Sequence, residues 1–293
     1  MQLIKAQRSK VKLRLNIASP SGFGKTYSAL LIAFGITGNW QKIAVIDTEN
    51  NSASLYSHLG DFKTLGLDPP YNPDRYIQAI RTCEDAGIDL IIIDSISHVW
   101  KGPGGLLEYQ NSLGGRYQDW ARVTPLYQRW LNAILHSSCH IITTNRKKQG
   151  YNMITENNRT KVEKAGLDDE IRDGYEYEMA VALEITNENH MTRASKDRTQ
   201  LFADKPDFVI TTSTGKIILD WCNEGKDESV DDVSHRISDT ATINELLALY
   251  KMYPQFKEVL KPEYEHRKRQ LLINQEVQTS LSHHQQIHSN GTE

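Results

Sequence analysis

The sequence predicts an α/β protein: a mainly parallel sheet covered by helices, antiparallel hairpins toward its C-terminal end, and a small helical appendage beyond them. Three observations predict this. Short apolar runs rich in β-branched residues, Ile43 to Ile46 and Leu90 to Ile93, alternate with segments of helical apolar spacing. From Tyr177 the period changes to two, as in hairpins. After an acidic stretch over 223–240, helix-start chemistry reappears.

Taken in order, Val11 to Ala18 reads as the first strand, a glycine-containing loop follows, and Thr26 to Phe34 carries Tyr27, Leu30, Leu31 and Phe34 at helical spacing. Lys42 to Ile46 is the next strand and ends in Asp47, Thr48 and Glu49. A helix is expected over Pro73 to Gly87, then a strand over Asp89 to Ile93 ending in Asp94 and Ser95. Thr124 and Pro125 supply an N-cap and a proline at the first helical position, ahead of Leu126, Trp130, Leu131 and Ile134. His140 to Thr144 is the following strand. Such alternation implies right-handed crossovers, with ligands bound beyond the carboxyl ends of the strands.

Tyr177, Met179, Val181, Leu183 and Ile185 then alternate, Asn187 to His190 is a turn signal, and Met191 to Ser195 returns. A second strand pair is expected over Phe208 to Thr212 and Lys216 to Leu219, closing the core near Trp221. The expected organisation is a core over 1–222, an exposed acidic linker over 223–240, a helical unit over 241–275 and a disordered tail over 276–293. In the helical unit Thr242 and Glu245 fit a capping box, and Ile243, Leu246, Leu247 and Tyr250 share a face that must dock on something. Pro262 to Ile273 is expected as a second helix bearing Arg267, Lys268 and Arg269.

A chain of 293 residues, 39% of them hydrophobic, suffices for one large α/β core with an appendage. Its net charge of −3 excludes a globally basic polyanion binder, so a nucleic-acid site must be a local patch. Cys83, Cys139 and Cys222 are too few and too scattered for a disulfide framework, which points to a reducing cytoplasm. The N-terminal residues carry charge without an apolar leader, and no run approaches the roughly 20 residues of a membrane span.

Chemistry concentrates in Ser19-Pro20-Ser21-Gly22-Phe23-Gly24-Lys25-Thr26. This follows the phosphate-loop pattern G-x-x-x-x-G-K-[ST], with Ser19 at the first glycine position, between a strand and a helix. Backbone N–H groups of such a loop face the phosphates of ATP, Lys25 brings positive charge to the β and γ groups, and the Thr26 hydroxyl ligates Mg²⁺. Asp94 ends an apolar strand and suits the metal side of the site, although an Asp there also caps turns. Glu49, one strand away, can orient the attacking water, although an acid after a strand is commonly a cap or a solvated residue. Lys196 and Arg198 flank Asp197, a pattern that is by default a solvated charge cluster; its sharper reading is a pair of cations reaching a neighbouring subunit's γ-phosphate.

Together the loop at 19–26, Ile46 to Glu49, Leu90 to Ser95, Trp100 to Gly105 and Lys196 to Thr199 resemble phage-encoded AAA-type P-loop ATPases of the RecA recombinase superfamily, over roughly residues 10 to 222. The resemblance implies that Glu49 activates water, that Asp94 serves the metal, and that Thr144 or Asn145 senses the γ-phosphate. It also implies a homo-oligomer in which Lys196 and Arg198 act across interfaces. By the same resemblance the segment from Arg146, Lys147 and Lys148 through Lys164, with Tyr151, Arg159 and Lys161, sits where DNA-contacting loops lie, diluted here by Glu156, Glu163, Asp168 and Asp169. Two functions from different classes follow: an ATPase acting on single-stranded DNA in phage recombination or replication, and a regulatory or loading ATPase whose protein client docks on residues 241–275. A small-molecule kinase fits less well, since no separate substrate lid is apparent.

Overall fold

The computed structural model describes residues 8–156, 159–226 and 228–274, with the side chains of 149 and 151–166 outside the description. The tail over 276–293 lies outside the described residues. The chain divides into two compact units, Val11–Gly225 and a second formed by residues from Lys226 onward together with the segment ending at Lys10.

In the larger unit the elements run β1 (Arg14–Ser19), α1 (Lys25–Thr37), β2 (Ile43–Asp47), β3 (Lys63–Gly66), α2 (Pro73–Asp85), β4 (Leu90–Asp94), α3 (Ser97–Lys101), α4 (Leu106–Ser112), α5 (Trp120–Leu135), β5 (His140–Glu156), β6 (Arg159–Asp169), α6 (Tyr175–Glu178), β7 (Val181–Ile185), β8 (Met191–Asp197), β9 (Phe208–Val209) and α7 (Thr212–Asn223). The sheet order is β3-β2-β4-β5-β1-β7-β8-β9, with β6 paired to β5. Strands β3 through β7 along that order are parallel, whereas β8, β9 and β6 join antiparallel. This is the expected mainly parallel sheet with antiparallel hairpins.

Both faces of the sheet are covered, which is why its central strands read as unbroken apolar runs. On one face Leu15, Ile17, Val45, Ile92, Ile142 and Leu183 pack with Ala29, Leu30 and Ala33 of α1. On the other, Ile46, Ile91, Ile93 and Ile141 meet Tyr76 and Ile80 of α2 and Trp130 and Ile134 of α5. Strand alternation therefore assigns each polar residue at a carboxyl end to a face: Asp94 and Thr144 to the α1 side, Thr143 and Asn145 to the other. Cys83, Cys139 and Cys222 are buried and form no disulfide.

Four local expectations change. Residues 212–223 form a helix, not half of a strand pair. Thr214, Gly215, Ile218 and Cys222 make a buried helical stripe, and the turn is started by a capping box between Thr211 and Thr214. The reason is tertiary: α7 crosses α1 so closely that a Cβ on Gly35 would sit 2.1 Å from Thr212 O, and one on Gly215 would sit 2.2 Å from Ile32 O. Helix α5 starts at Trp120 rather than at Pro125. The proline removes one i→i−4 bond, but the turn before it buries Val123 and stacks Trp120 on Trp100 at 5.7 Å between ring centroids. Residues 175–178 are a short helix, so the expected strand begins at Val181, and it is buried throughout rather than alternating.

The fourth change concerns 223–240, which is not all linker: Val230–Asp239 is a helix, α8, begun by a Ser229–Asp232 capping box and burying Val233 and Ile237. Its acids sit on the outer positions. In the smaller unit α8 and α9 (Ile243–Met252) join a helical run over 261–274 around Val233, Ile237, Leu246, Tyr253, Leu260, Tyr264 and Leu271. Arg267 ties this run to α8, donating from Nη2 to Thr240 O at 2.6 Å.

Candidate nucleotide-binding site

Strand β1 ends at Ser19 and α1 begins at Lys25, so the loop between them opens at the carboxyl edge of the sheet. Gly22 and Gly24 have φ of 87° and 90°, left-handed backbone that favours glycine. Ser19 needs no such freedom. It lies in strand backbone, and its hydroxyl donates to Pro20 O at 2.9 Å.

The Lys25 ammonium folds back over the loop, donating to Ser19 O at 3.1 Å and Pro20 O at 3.0 Å. Burial pushes its pKa down, opposed by the charges of Asp94 and Glu49. Asp94 is 2% exposed, and its two oxygens accept from Thr26 Oγ1 at 2.5 Å and Thr144 Oγ1 at 2.6 Å. Burial pushes this carboxyl up, while the two hydroxyls and Lys25 favour its ionised form. A carboxylate this deep, supported mainly by neutral hydroxyls, is a fitting partner for a cation. The Thr26 and Asp94 oxygens suit a hard ion such as Mg²⁺, which takes one or two protein ligands and completes its shell with phosphate and water. Among the described residues no group of three or more His, Cys, Asp or Glu is arranged to hold a metal unaided.

Glu49 stands beyond β2, on a turn shaped by Asp47, whose two oxygens accept from Glu49 N at 2.7 Å and Ala53 N at 2.8 Å. The Glu49 carboxylate accepts from Ser95 Oγ at 3.0 Å and Arg146 Nε at 2.9 Å, and its second oxygen pairs with Arg146 Nη2. Beneath it, Thr48 Oγ1 and His98 Nδ1 are 2.7 Å apart, His98 stacks on Tyr71, and burial lowers the His98 pKa. Lys25, Thr26, Asp94, Thr144, Glu49 and Arg146 thus occupy one neighbourhood at the carboxyl ends of β1, β2, β4 and β5.

The family model for an AAA domain matches residues 11–215. The chain belongs to this AAA domain family. Membership makes it a nucleotide-binding P-loop ATPase, and the AAA domain spans all the site residues above. A search of curated proteins finds no match. Among the described residues no helix is long and apolar enough to cross a membrane.

Within the AAA domain the structure sorts the remaining candidates. Asn145 does not reach the loop: its side chain is fully buried on the far face, accepting from Asn16 Nδ2 at 2.7 Å and donating to Asp169 Oδ1 at 2.7 Å. Strand phase explains the correction, because Thr144 and Arg146 face α1 and Asn145 cannot. Arg146, expected in a DNA-contacting loop, instead sits level with Ser19 and grips Glu49. That loop is itself a long antiparallel hairpin, β5 to β6, in which Lys147 pairs opposite Asp169 and Glu156 opposite Arg159. Lys147 is committed to Glu184 at 2.9 Å, and the side chains of Tyr151, Arg159, Lys161 and Lys164 lie outside the described residues.

Lys196 and Arg198 are not at the loop of their own chain. Strand β8 runs back antiparallel to β7, so Lys196 lies level with Ala182, and Ala182 with Asn16 near the start of β1. Both cations rest on carbonyls of the α6 turn, Lys196 Nζ on Met179 O at 2.8 Å and Arg198 Nη2 on Tyr177 O at 2.7 Å. Two residues that motif reading missed do touch the site. Arg146 was accessible from the period of β5; His190, whose Nδ1 is 2.9 Å from Phe23 O, was not, because nothing local in the sequence relates the two.

Proposed function

We propose that the chain binds and hydrolyses ATP with Mg²⁺ and acts on single-stranded DNA in phage recombination or replication, as an annealing or recombinase-like protein. Lys25 and the loop N–H groups take the phosphates, Thr26 and Asp94 hold the ion, and Glu49 orients the attacking water by accepting its proton. Bound Mg²⁺ supplies charge neutralisation at the phosphates. The exposed Tyr27 ring, one residue past Thr26 and 5.9 Å from that of Tyr56, offers a flat apolar surface to the base.

The observation that carries the DNA reading is Arg146. It grips Glu49 from the strand that continues as the β5–β6 hairpin, whose pairing begins at the next residue, Lys147, so the hairpin and the acid of the site are joined through one side chain. Residues 148–164 hold four cations against two acids and one tyrosine, a composition that can meet phosphates and stack bases. Steady-state hydrolysis with and without single-stranded DNA, at low and physiological salt, tests it. DNA should raise a Lys25-dependent rate, and the effect should shrink as salt rises. A rate indifferent to DNA favours a protein client, a reading supported by Leu247, Tyr250, Val259 and Ile273, which the smaller unit leaves exposed.

Because Lys196 and Arg198 lie away from the loop of their own chain, a further part of the proposal is a homo-oligomer with sites at its interfaces, in which they would act on the nucleotide of a second copy. Mixing Arg198→Ala subunits with Glu49→Gln subunits should then restore part of the hydrolysis that each lacks alone. Absence of any recovery removes the case for trans-acting cations.

A further inference from the structure

The β7–β8 hairpin turns at Asn187 to His190, and the sheet dictates where that turn lies. Strand β7 runs parallel to β1 with Ala18 level with Glu184, so both strands leave the sheet at one edge and the turn rises beside the phosphate loop. It is held firmly. His190 N donates to Asn187 O at 3.0 Å, the N–H groups of Asn189 and Met191 donate to Asn187 Oδ1 at 3.0 and 3.2 Å, and Thr186 N donates to Met191 O at 2.8 Å. Within it His190 takes left-handed backbone, φ 62°, which is uncommon outside glycine and is adopted more readily by asparagine, aspartate and histidine than by other residues. A histidine kept in such a place is a reason to ask what its ring does.

Its ring lies against the loop. Nδ1 is 2.9 Å from Phe23 O, and a Cβ built on Gly24 would be 3.0 Å from Nδ1 and 3.2 Å from Cε1. A carbonyl can only accept, so Nδ1 carries the proton and donates. Phe23 C=O and Gly24 N–H belong to one peptide plane, and in a trans peptide they point in opposite directions. Holding the carbonyl toward the hairpin therefore aims the Gly24 N–H away from it, into the loop. Left-handed glycines, Gly22 and Gly24, stand on either side of Phe23, and glycine accepts either sign of φ. The Phe23–Gly24 peptide can consequently flip unless its carbonyl is held.

The geometry points to His190 as a positioning residue of the nucleotide site: its Nδ1–H fixes the Phe23–Gly24 peptide so that the Gly24 N–H is presented to the β-phosphate of a nucleoside diphosphate or triphosphate. The hydrogen bond also polarises that amide, making its N–H a stronger donor. This inference rests on the nucleotide-binding reading of the loop and adds to it a contact from a hairpin more than 160 residues downstream.

Calorimetric titration with ADP and Mg²⁺, alongside thermal unfolding, tests it in the full chain with His190→Ala, His190→Leu and His190→Asn. Asparagine carries an amide N–H as far along its side chain as Nδ1 and tolerates left-handed backbone, so His190→Asn should bind ADP within about twofold of wild type. His190→Ala and His190→Leu lack the donor and should bind about tenfold more weakly, the scale of one hydrogen bond to a charged group. AMP, which has no β-phosphate, should lose less. Equal ADP affinity in wild type and His190→Ala overturns the proposal, as does a loss in His190→Asn as large as in His190→Ala at unchanged unfolding temperature. A wild type that takes up no ADP overturns the nucleotide reading instead.

Discussion

Lys25→Ala is expected to abolish hydrolysis, lowering the rate by roughly a thousandfold or more, and to weaken ATP binding with it. The ammonium is the cation that the loop folds around, resting on Ser19 O and Pro20 O in a buried position from which phosphate oxygens can take it over. Its removal takes one positive charge away from the phosphates and from Asp94, whose hydrogen-bonding hydroxyls, those of Thr26 and Thr144, carry none. Phosphate release and ATP titration by calorimetry measure the two effects separately. Binding retained within about twofold, when one charge-assisted contact is worth a factor of ten or more, would show that the loop is not where the phosphates sit.

Glu49→Gln should separate binding from chemistry. Glutamine keeps an oxygen for Ser95 or Arg146 and nearly the same shape, but it cannot take a proton from water. ATP affinity should stay close to wild type while turnover falls by about 10² to 10⁴, the usual worth of a positioned general base. Single-turnover hydrolysis of bound ATP is the decisive readout, because it is blind to product release. Normal turnover would reduce the Glu49–Arg146 pair to a structural ion pair and leave the water without a base.

The parts of this molecule that could be read in its sequence are those whose cause is local. Ile43 to Ile46 and Leu90 to Ile93 read as buried strands because parallel strands are covered on both faces, and the loop at 19–26 read as a phosphate site because its chemistry is contiguous. Even Arg146 was within reach, since counting by twos from Thr144 lands on it rather than on Asn145. Helix α7 was not. Its β-branched Ile217 and Ile218 suggest a strand, and what overrides them is the contact of Gly35 with Gly215. Helix α8 was hidden differently, by acids on its outer face that masked the Val233 and Ile237 stripe and the Ser229 cap. His190 depends on a turn and a loop brought together by β1 and β7, which no local pattern encodes.

The place of β1 in the sheet also bears on how the protein is made. Both of its neighbours come late: Arg14 pairs with Ile141 and Leu15 with Val181, while α1 waits for Gly215 to dock. At about 5–20 residues per second, a ribosome that has finished the phosphate loop needs roughly 10 s to deliver its first strand partner. For that interval in each round of synthesis the emerging chain carries an apolar strand with two open edges. The earliest-made part of the nucleotide site is therefore among the last to fold, and a message truncated before β5 would yield a loop of intact sequence with no sheet to hold it.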